Sequence, residues 1–346
     1  MNDQIFMQRC VELAYLGIRH VYPNPMVGAV LVHNGKIIGE GYHQQFGGPH
    51  AEVNAIKQVK ELGNEGLLGQ ATLYVSLEPC NHHGKTPPCT QTIIEHGVKK
   101  VVIGSGDIHR LVNGAGISKL KDNDVAVKLL SNFGAAAELN KRFFSFHRHS
   151  RPYIVLKWAE TADGYMAPLI QEERLKISND TANLLVHQWR AHEAAIMVGY
   201  NTILKDNPSL DARYQSGLSP IRVTFSKSAQ IDFSKNIFRN DGVNVFVFNL
   251  ETDGTRDNIT FIKVDATHIW RNVFSELFAR NILSILIEGG SNLLSDLIKE
   301  QLYDEIRILR AAWSLGAGIA APLPKVNFQL SEMIGDNQML IYQNTH

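Results

Sequence analysis

Gly48-Pro49-His50-Ala51-Glu52, then Leu77-Glu78-Pro79-Cys80, then Pro88-Cys89: these three short runs decide how the chain is read. They supply one imidazole, two thiolates and a carboxylate two residues beyond the imidazole. Three such ligands on a tetrahedral Zn²⁺ leave one open position, which separates catalytic zinc from closed structural zinc. Zinc also lowers the pKa of a bound water to about 7. If His50 opens a helix, Glu52 is badly placed as a fourth ligand and well placed to carry a proton. Two other readings compete. A Cys80–Cys89 disulfide would need an oxidising compartment, yet the chain has only three cysteines and its opening, Met1-Asn2-Asp3-Gln4, lacks the basic region and apolar core of a secretory signal. A structural zinc closed by His82 or His83 would leave Glu52 without a role. Cys10, on an apolar-periodic helix, reads as a small buried hydrophobe.

Outward from these runs, strands and helices alternate. A helix is expected from Asp3 to about His20 and a strand from Val27 to His33. Asn34-Gly35 marks a two-residue hairpin, with Lys36 to Tyr42 returning. The helix begun at Pro49 runs to about Leu62. A strand, Thr72 to Leu77, delivers Glu78-Pro79-Cys80. Pro88 suits the first turn of a helix reaching His96, and Lys99 to Gly104 is again a strand. This order predicts an α/β/α sandwich. It also places thiolates at helix N-termini, where backbone N–H groups and the helix dipole favour negative charge.

Composition narrows the function. At 346 residues the chain is long enough for two domains, and 44% hydrophobic with 20% charged residues suits full cores. Lys plus Arg equals Asp plus Glu at 34 each, which lacks the basic footprint of a nucleic-acid binder. No apolar run approaches the roughly 20 residues of a membrane span. A cytoplasmic enzyme acting on a small molecule is expected, with no nucleic-acid or membrane partner.

His-x-Glu with a later Pro-Cys and a second Cys is the arrangement of zinc deaminases acting on nucleosides and nucleobases. Beyond that, His50-Ala51-Glu52, the run Leu77 to Cys89 with its Gly84-Lys85-Thr86-Pro87-Pro88-Cys89, and Pro23-Asn24-Pro25 resemble the deaminase half of the bifunctional riboflavin-biosynthesis deaminase/reductases. Gly84-Lys85-Thr86 alone is no P-loop, since the upstream glycine pattern is missing. The resemblance implies a cytidine-deaminase-like N-terminal domain in which His50, Cys80 and Cys89 bind Zn²⁺, one ion per chain, and Glu52 is the proton shuttle. The substrate it implies is a 2,5-diaminopyrimidinone carrying a ribosylamino 5-phosphate, losing its 2-amino group and contacted by Asn24, His43, Lys85 and Asp107. The family's aspartate-proline appears here as Asp107-Ile108: the aspartate is kept and the proline is not.

Phe143 to Pro152 ends a helix and launches a strand, so the domain boundary is placed near residue 150, giving domains 1–149 and 150–346. Further strands are expected at Tyr153–Trp158, Ala194–Val198, Ile221–Phe225, Val243–Phe248 and Ile282–Ile287. Helices are expected at Asn179–Ala191, capped by Ser178, and at Ser291–Lys299. Strand, Glu288-Gly289-Gly290, helix is a place where phosphate can meet bare backbone amides. With Lys157, Asp163-Gly164, Gly199, Thr202, Asp206-Asn207-Pro208 and Arg213, this run resembles the reductase half of the same family, whose fold is similar to dihydrofolate reductase. The resemblance implies NADPH as hydride donor, held by Lys157, Gly199, Thr202, Asp206, Gly289 and Gly290. It assigns Lys157, Arg190, Asp206, Arg213 and Glu288 to substrate, and a homo-oligomer is expected. Two departures, Lys176 where the family has tryptophan and Asp211 where it has threonine, motivate the alternative of a deaminase with a degenerate reductase domain. An inward-pointing Asp211 would repel phosphate.

Overall fold

The computed structural model describes residues 3–82, 87–107, 114–130, 133–170, 175–213, 219–326 and 328–344. The chain divides into two compact units, Met1–His149 and Ser150–His346. Among the described residues no helix is long and apolar enough to cross a membrane.

The first unit runs α1 (Asp3–Tyr15), β1 (Gly28–His33), β2 (Lys36–Tyr42), α2 (Ala51–Glu61), β3 (Thr72–Val75), α3 (Cys89–Glu95), β4 (Lys100–Ile103), α4 (Ala115–Lys121), β5 (Ala126–Leu129), α5 (Gly134–Leu139) and α6 (Lys141–His149). Its sheet has the order β2-β1-β3-β4-β5, with β1 antiparallel to both neighbours and β3, β4 and β5 parallel. Successive side chains of β1 point to opposite faces, so Ala29 and Leu31 pack under α2 and α3 while Val30 and Val32 pack against Met7, Cys10 and Leu13 of α1. Both faces are covered, which is why β1 reads as a continuous apolar run. The expected three-layer sandwich is present. Asn34 and Gly35 both take positive φ, as a tight hairpin turn requires.

The first helix stops at Tyr15 rather than reaching His20. A Cβ at Gly17 would lie 2.3 Å from the His43 carbonyl oxygen, so the chain must turn there to pass under the end of β2. Cys10 is fully buried, as read.

The second unit contains β6 (Tyr153–Glu160), β7 (Tyr165–Ala167), α7 (Asp180–His192), β8 (Ala195–Gly199), α8 (Tyr200–Asp206), β9 (Ile221–Phe225), β10 (Val245–Asn249), β11 (Gly254–Arg256), β12 (Ile259–Lys263), α9 (Ile269–Ala279), β13 (Ser284–Ile287), α10 (Ser291–Lys299), β14 (Glu305–Arg310), β15 (Ile319–Ala320), β16 (Phe328–Ile334) and β17 (Asn337–Gln343). Its large sheet has the order β11-β12-β10-β9-β8-β13-β6-β14-β17-β16, parallel from β12 through β14. Ile154, Leu156 and Trp158 face α9 and α10 on one side, while Tyr153 and Val155 face Val186 and Trp189 of α7 on the other. The cap of α7 is Asn179, not Ser178: its side-chain oxygen accepts from the Ala182 amide at 2.7 Å. The C-terminal strands escaped the sequence reading because β14 mixes charges with apolar residues, and those charges are buried as a Glu305–Arg307 pair.

Gly28 marks the tightest packing in the first unit, since a Cβ there would sit 2.0 Å from the Cys10 carbonyl oxygen. Gly28→Ala is expected to push α1 off the sheet at a cost of about 1–3 kcal/mol. A lowered midpoint of chemical unfolding checks this; an unchanged midpoint contradicts it.

Candidate active site

Both thiols sit where local geometry is set by a chain turn. The backbone of His50 is extended and α2 begins with the next residue. Cys89 is the first residue of α3, after Pro88. Its amide donates to the Cys80 sulfur at 3.4 Å, and the Thr90 amide donates to the Cys80 carbonyl at 3.2 Å. His50 Nδ1 lies 3.2 Å from Cys89 Sγ and 3.5 Å from Cys80 Sγ. All three donor atoms fall within 4.8 Å of one another. Bond lengths of about 2.0–2.3 Å to a tetrahedral ion place ligand atoms roughly 3.3–3.8 Å apart, close to the two imidazole–sulfur separations found here, so the donor set fits zinc. Cys80 and Cys89 are free thiols rather than a disulfide, and His82 stands outside the group. His83 and Lys85 lie outside the described residues.

Glu52, the second residue of α2, is 3% exposed and within hydrogen-bonding reach of the Cys89 thiol. Burial pushes its carboxyl above the usual range, against the attraction of His50. Without metal, the Cys89 thiol donates to Cys80 and holds the Cys80 thiol far below its ordinary value, with His50 helping; Cys89 itself keeps its proton. A buried carboxyl beside the cluster but outside the ligand set is what proton transfer needs.

Next to the cluster, His43 is buried and its Nδ1 lies 3.0 Å from the Pro49 carbonyl, so that nitrogen carries the proton. Its Nε2 then accepts from the Asn24 side-chain amide at 3.2 Å, turning the Asn24 carbonyl oxygen the other way. Burial lowers the His43 pKa, in keeping with a neutral ring. Asp107 is buried just past the end of β4, and residues 108–113 lie outside the described set. Sequence reasoning passed over Glu78, which is buried and accepts from the Asp107, Gly114, Gly116 and Ile117 amides. Its position two residues before Cys80 was the one available signal.

In the second unit, β8 and β13 are parallel neighbours and the residues after them meet. The Gly199 amide donates to the Gly289 carbonyl at 3.3 Å, and a Cβ on Gly290 would lie 3.3 Å from Thr202 Oγ1. Gly289 and Gly290 take φ of 137° and 72°, which suits glycine. Arg190 grips Glu288 through two N–H groups, both at 2.6 Å, and gives a third to the Asp211 carbonyl at 3.3 Å. Burial alone would raise the Glu288 carboxyl, but Arg190, with Lys157 behind it, holds it down at about 2. Lys157 is buried on β6, whereas Asp206 is exposed at the end of α8. Arg213 is half-exposed, and Asp211 accepts from its Nε at 2.9 Å while Arg239 approaches the other oxygen at 3.6 Å. The Asp211 charge is therefore balanced by two guanidiniums, which removes the repulsion its appearance in the sequence suggested. Lys176 pairs with Asp180 at the start of α7.

The cytidine and deoxycytidylate deaminase zinc-binding region matches residues 1–105, and the RibD C-terminal domain matches residues 152–333. The riboflavin biosynthesis protein RibD of Aquifex aeolicus is 33% identical over 92% of this chain and 89% of its own length. That of Escherichia coli is 33% identical over 92% and 89%. The chain belongs to the RibD family. A solved Thermotoga maritima structure, described as a diaminohydroxyphosphoribosylaminopyrimidine deaminase/5-amino-6-(5-phosphoribosylamino)uracil reductase, superposes with a TM-score of 0.90 at 34% identity, covering 99% of both chains. Acinetobacter baumannii RibD superposes at 0.87 with 30% identity over the same shares. As a RibD protein, the chain is a bifunctional deaminase/reductase of riboflavin biosynthesis. It joins a cytidine-deaminase-like fold to a dihydrofolate-reductase-like fold and uses zinc and NADPH.

Two outcomes follow from this geometry. Purified protein should carry one zinc per chain by elemental analysis, with Cys80→Ser or Cys89→Ser losing it and Glu52→Gln keeping it; zinc loss from Glu52→Gln would make Glu52 a ligand. Because the Glu288 pKa is depressed on folding, the stability it contributes is complete above its ordinary value of 4.5 and is lost as pH falls toward 2. The urea midpoint should therefore fall more steeply over that range in the wild type than in an Arg190→Met/Glu288→Leu double variant. Parallel curves would contradict it.

Proposed function

We propose that residues 1–149 deaminate 2,5-diamino-6-(5-phosphoribosylamino)pyrimidin-4-one and that residues 150–346 reduce the resulting ribosylaminouracil to its ribityl form. The observation that carries the first step is the convergence of His50, Cys80 and Cys89 with buried Glu52 beside them. Bound by these three residues, zinc supplies the Lewis acidity that makes water a nucleophile at neutral pH. Glu52 takes the proton from water as its oxygen adds to C2. It then delivers protons to the ring nitrogen and to the departing amine, so that ammonia leaves and an oxo group remains. Burial raises the Glu52 carboxyl above its ordinary value, which makes its carboxylate a stronger base toward water and able to hold the proton until it is passed on. Asn24, oriented by His43, offers its carbonyl oxygen to a ring or amino N–H, and Asp107 accepts a second hydrogen bond. Lys85 is assigned to the substrate phosphate.

In the second step the ribosylamine opens to its imine; bound NADPH would supply the hydride for C1′, with a proton going to the adjoining nitrogen. Gly199, Thr202, Gly289 and Gly290 present backbone and hydroxyl groups to the cofactor; a φ of 137° disfavours a side chain at Gly289, and a Cβ on Gly290 would lie 3.3 Å from Thr202 Oγ1. Lys157 and Asp206 are assigned to both cofactor and substrate. Arg213, aimed by Asp211, takes substrate phosphate through its free fork. Arg190 and Glu288 act as a preset pair: the guanidinium satisfies the carboxylate, which can then accept from sugar hydroxyls. We place the enzyme in the cytoplasm as a homo-oligomer, in line with its resemblance to the family.

The test is sequential. With the diaminopyrimidine phosphate freshly made from GTP, the protein is expected to release ammonia without NADPH and then to oxidise one NADPH per ammonia once it is added. Ammonia without NADPH oxidation would contradict the second activity. Glu52→Gln should lower ammonia release by about 10²–10⁴-fold, the usual value of a positioned acid–base group, while keeping its zinc. Substantial turnover in that variant would contradict the role of Glu52.

A further inference from the structure

Glu78 is a buried carboxylate that the mechanism above does not use. Its Oε1 accepts from the amides of Gly116 at 3.0 Å and Ile117 at 3.2 Å, and its Oε2 from those of Gly114 at 3.1 Å and Asp107 at 3.4 Å. All four donors are backbone groups 29 to 39 residues away in sequence. The Glu78 amide in turn donates to the Ser105 carbonyl at 3.0 Å, tying the extension of β3 to that of β4. The helix side of the junction is closed equally tightly, since a Cβ on Gly116 would lie 2.1 Å from the Pro79 carbonyl oxygen and 3.2 Å from Glu78 Oε1. The dipole of α4 adds to the attraction for negative charge at this point. One carboxylate therefore joins two pieces of the deaminase site. It stands two residues before the metal ligand Cys80, and it holds the backbone of Asp107.

We infer that Glu78 is a positioning residue that sets the substrate-contacting Asp107 at a fixed distance from the zinc-ligand turn. The inference rests on the deaminase reading above. Cys80 is also held by the Cys89 amide and by the contact of Thr90 with its carbonyl. The Asp107 amide donates to Glu78 at 3.4 Å, so its backbone follows that carboxylate directly. Loosening Glu78 should therefore displace the substrate contact before it disturbs the metal.

Glu78→Gln is the informative change because it keeps shape and loses function at half the contacts. Its carbonyl oxygen can serve one pair of amides, while its NH₂ group must face the other pair, donor against donor. The expected result is a KM raised about tenfold, the order of one charge-assisted hydrogen bond, with kcat little changed and zinc complete. Glu78→Asp keeps the charge on a shorter arm and should fall between wild type and Gln; it carries the comparison if the Gln variant does not fold. Wild-type parameters in Glu78→Gln, a fall in kcat at unchanged KM, or loss of zinc would each overturn the inference. Equilibrium dialysis of the same substrate against Glu52→Gln, with and without Glu78→Gln, reads binding without turnover, and equal affinities there would also overturn it. Failure of the deaminase reading shows separately, as wild-type protein that releases no ammonia.

Discussion

In a parallel pair of strands both C-terminal ends lie at the same edge of the sheet, so the segments that follow them are forced together. Each unit of this chain uses that constraint once for chemistry. β3 and β4 bring the turn carrying Cys80 beside Asp107, and β8 and β13 bring Gly199 beside Gly289 and Gly290. The residues that matter are then fixed by strand pairing rather than by loops. α3, which begins at Cys89, donates its first amide, one of the unsatisfied N–H groups of a helix start, to the Cys80 sulfur, and α10 begins at Ser291 directly after Gly290.

Charge is handled differently at the two sites. In the first unit an imidazole and two thiols are gathered within 4.8 Å of one another, a set whose charge a bound cation would neutralise. In the second unit the protein supplies its own compensation. Arg190 answers Glu288, while Arg213 and Arg239 answer Asp211. For the buried Arg190–Glu288 pair, removing one member is far more damaging than removing both.

The first unit was nearly legible from the sequence because its signals are local. Asn34-Gly35 declares a hairpin, and Pro88 announces a helix start one residue early. His50 stands extended just before α2 and Glu52 is the second residue of that helix, which sets the two side chains apart. What escaped depended on distant partners. Glu78 looks like a residue that merely precedes a cysteine until four remote amides are placed around it. Asp211 looked hostile to phosphate until Arg239, 28 positions further along the chain, was seen beside it. Asn179 rather than Ser178 caps α7 because its amide also reaches the Ile334 carbonyl of β16, a contact no local pattern encodes.

The central claim is an open zinc site with three protein ligands, and X-ray absorption at the zinc edge tests it most directly. The account predicts two sulfur ligands at about 2.3 Å, one imidazole nitrogen near 2.0–2.1 Å, and a fourth light atom that is not imidazole. Two imidazole nitrogens with two sulfurs would describe a closed structural site and would contradict the account.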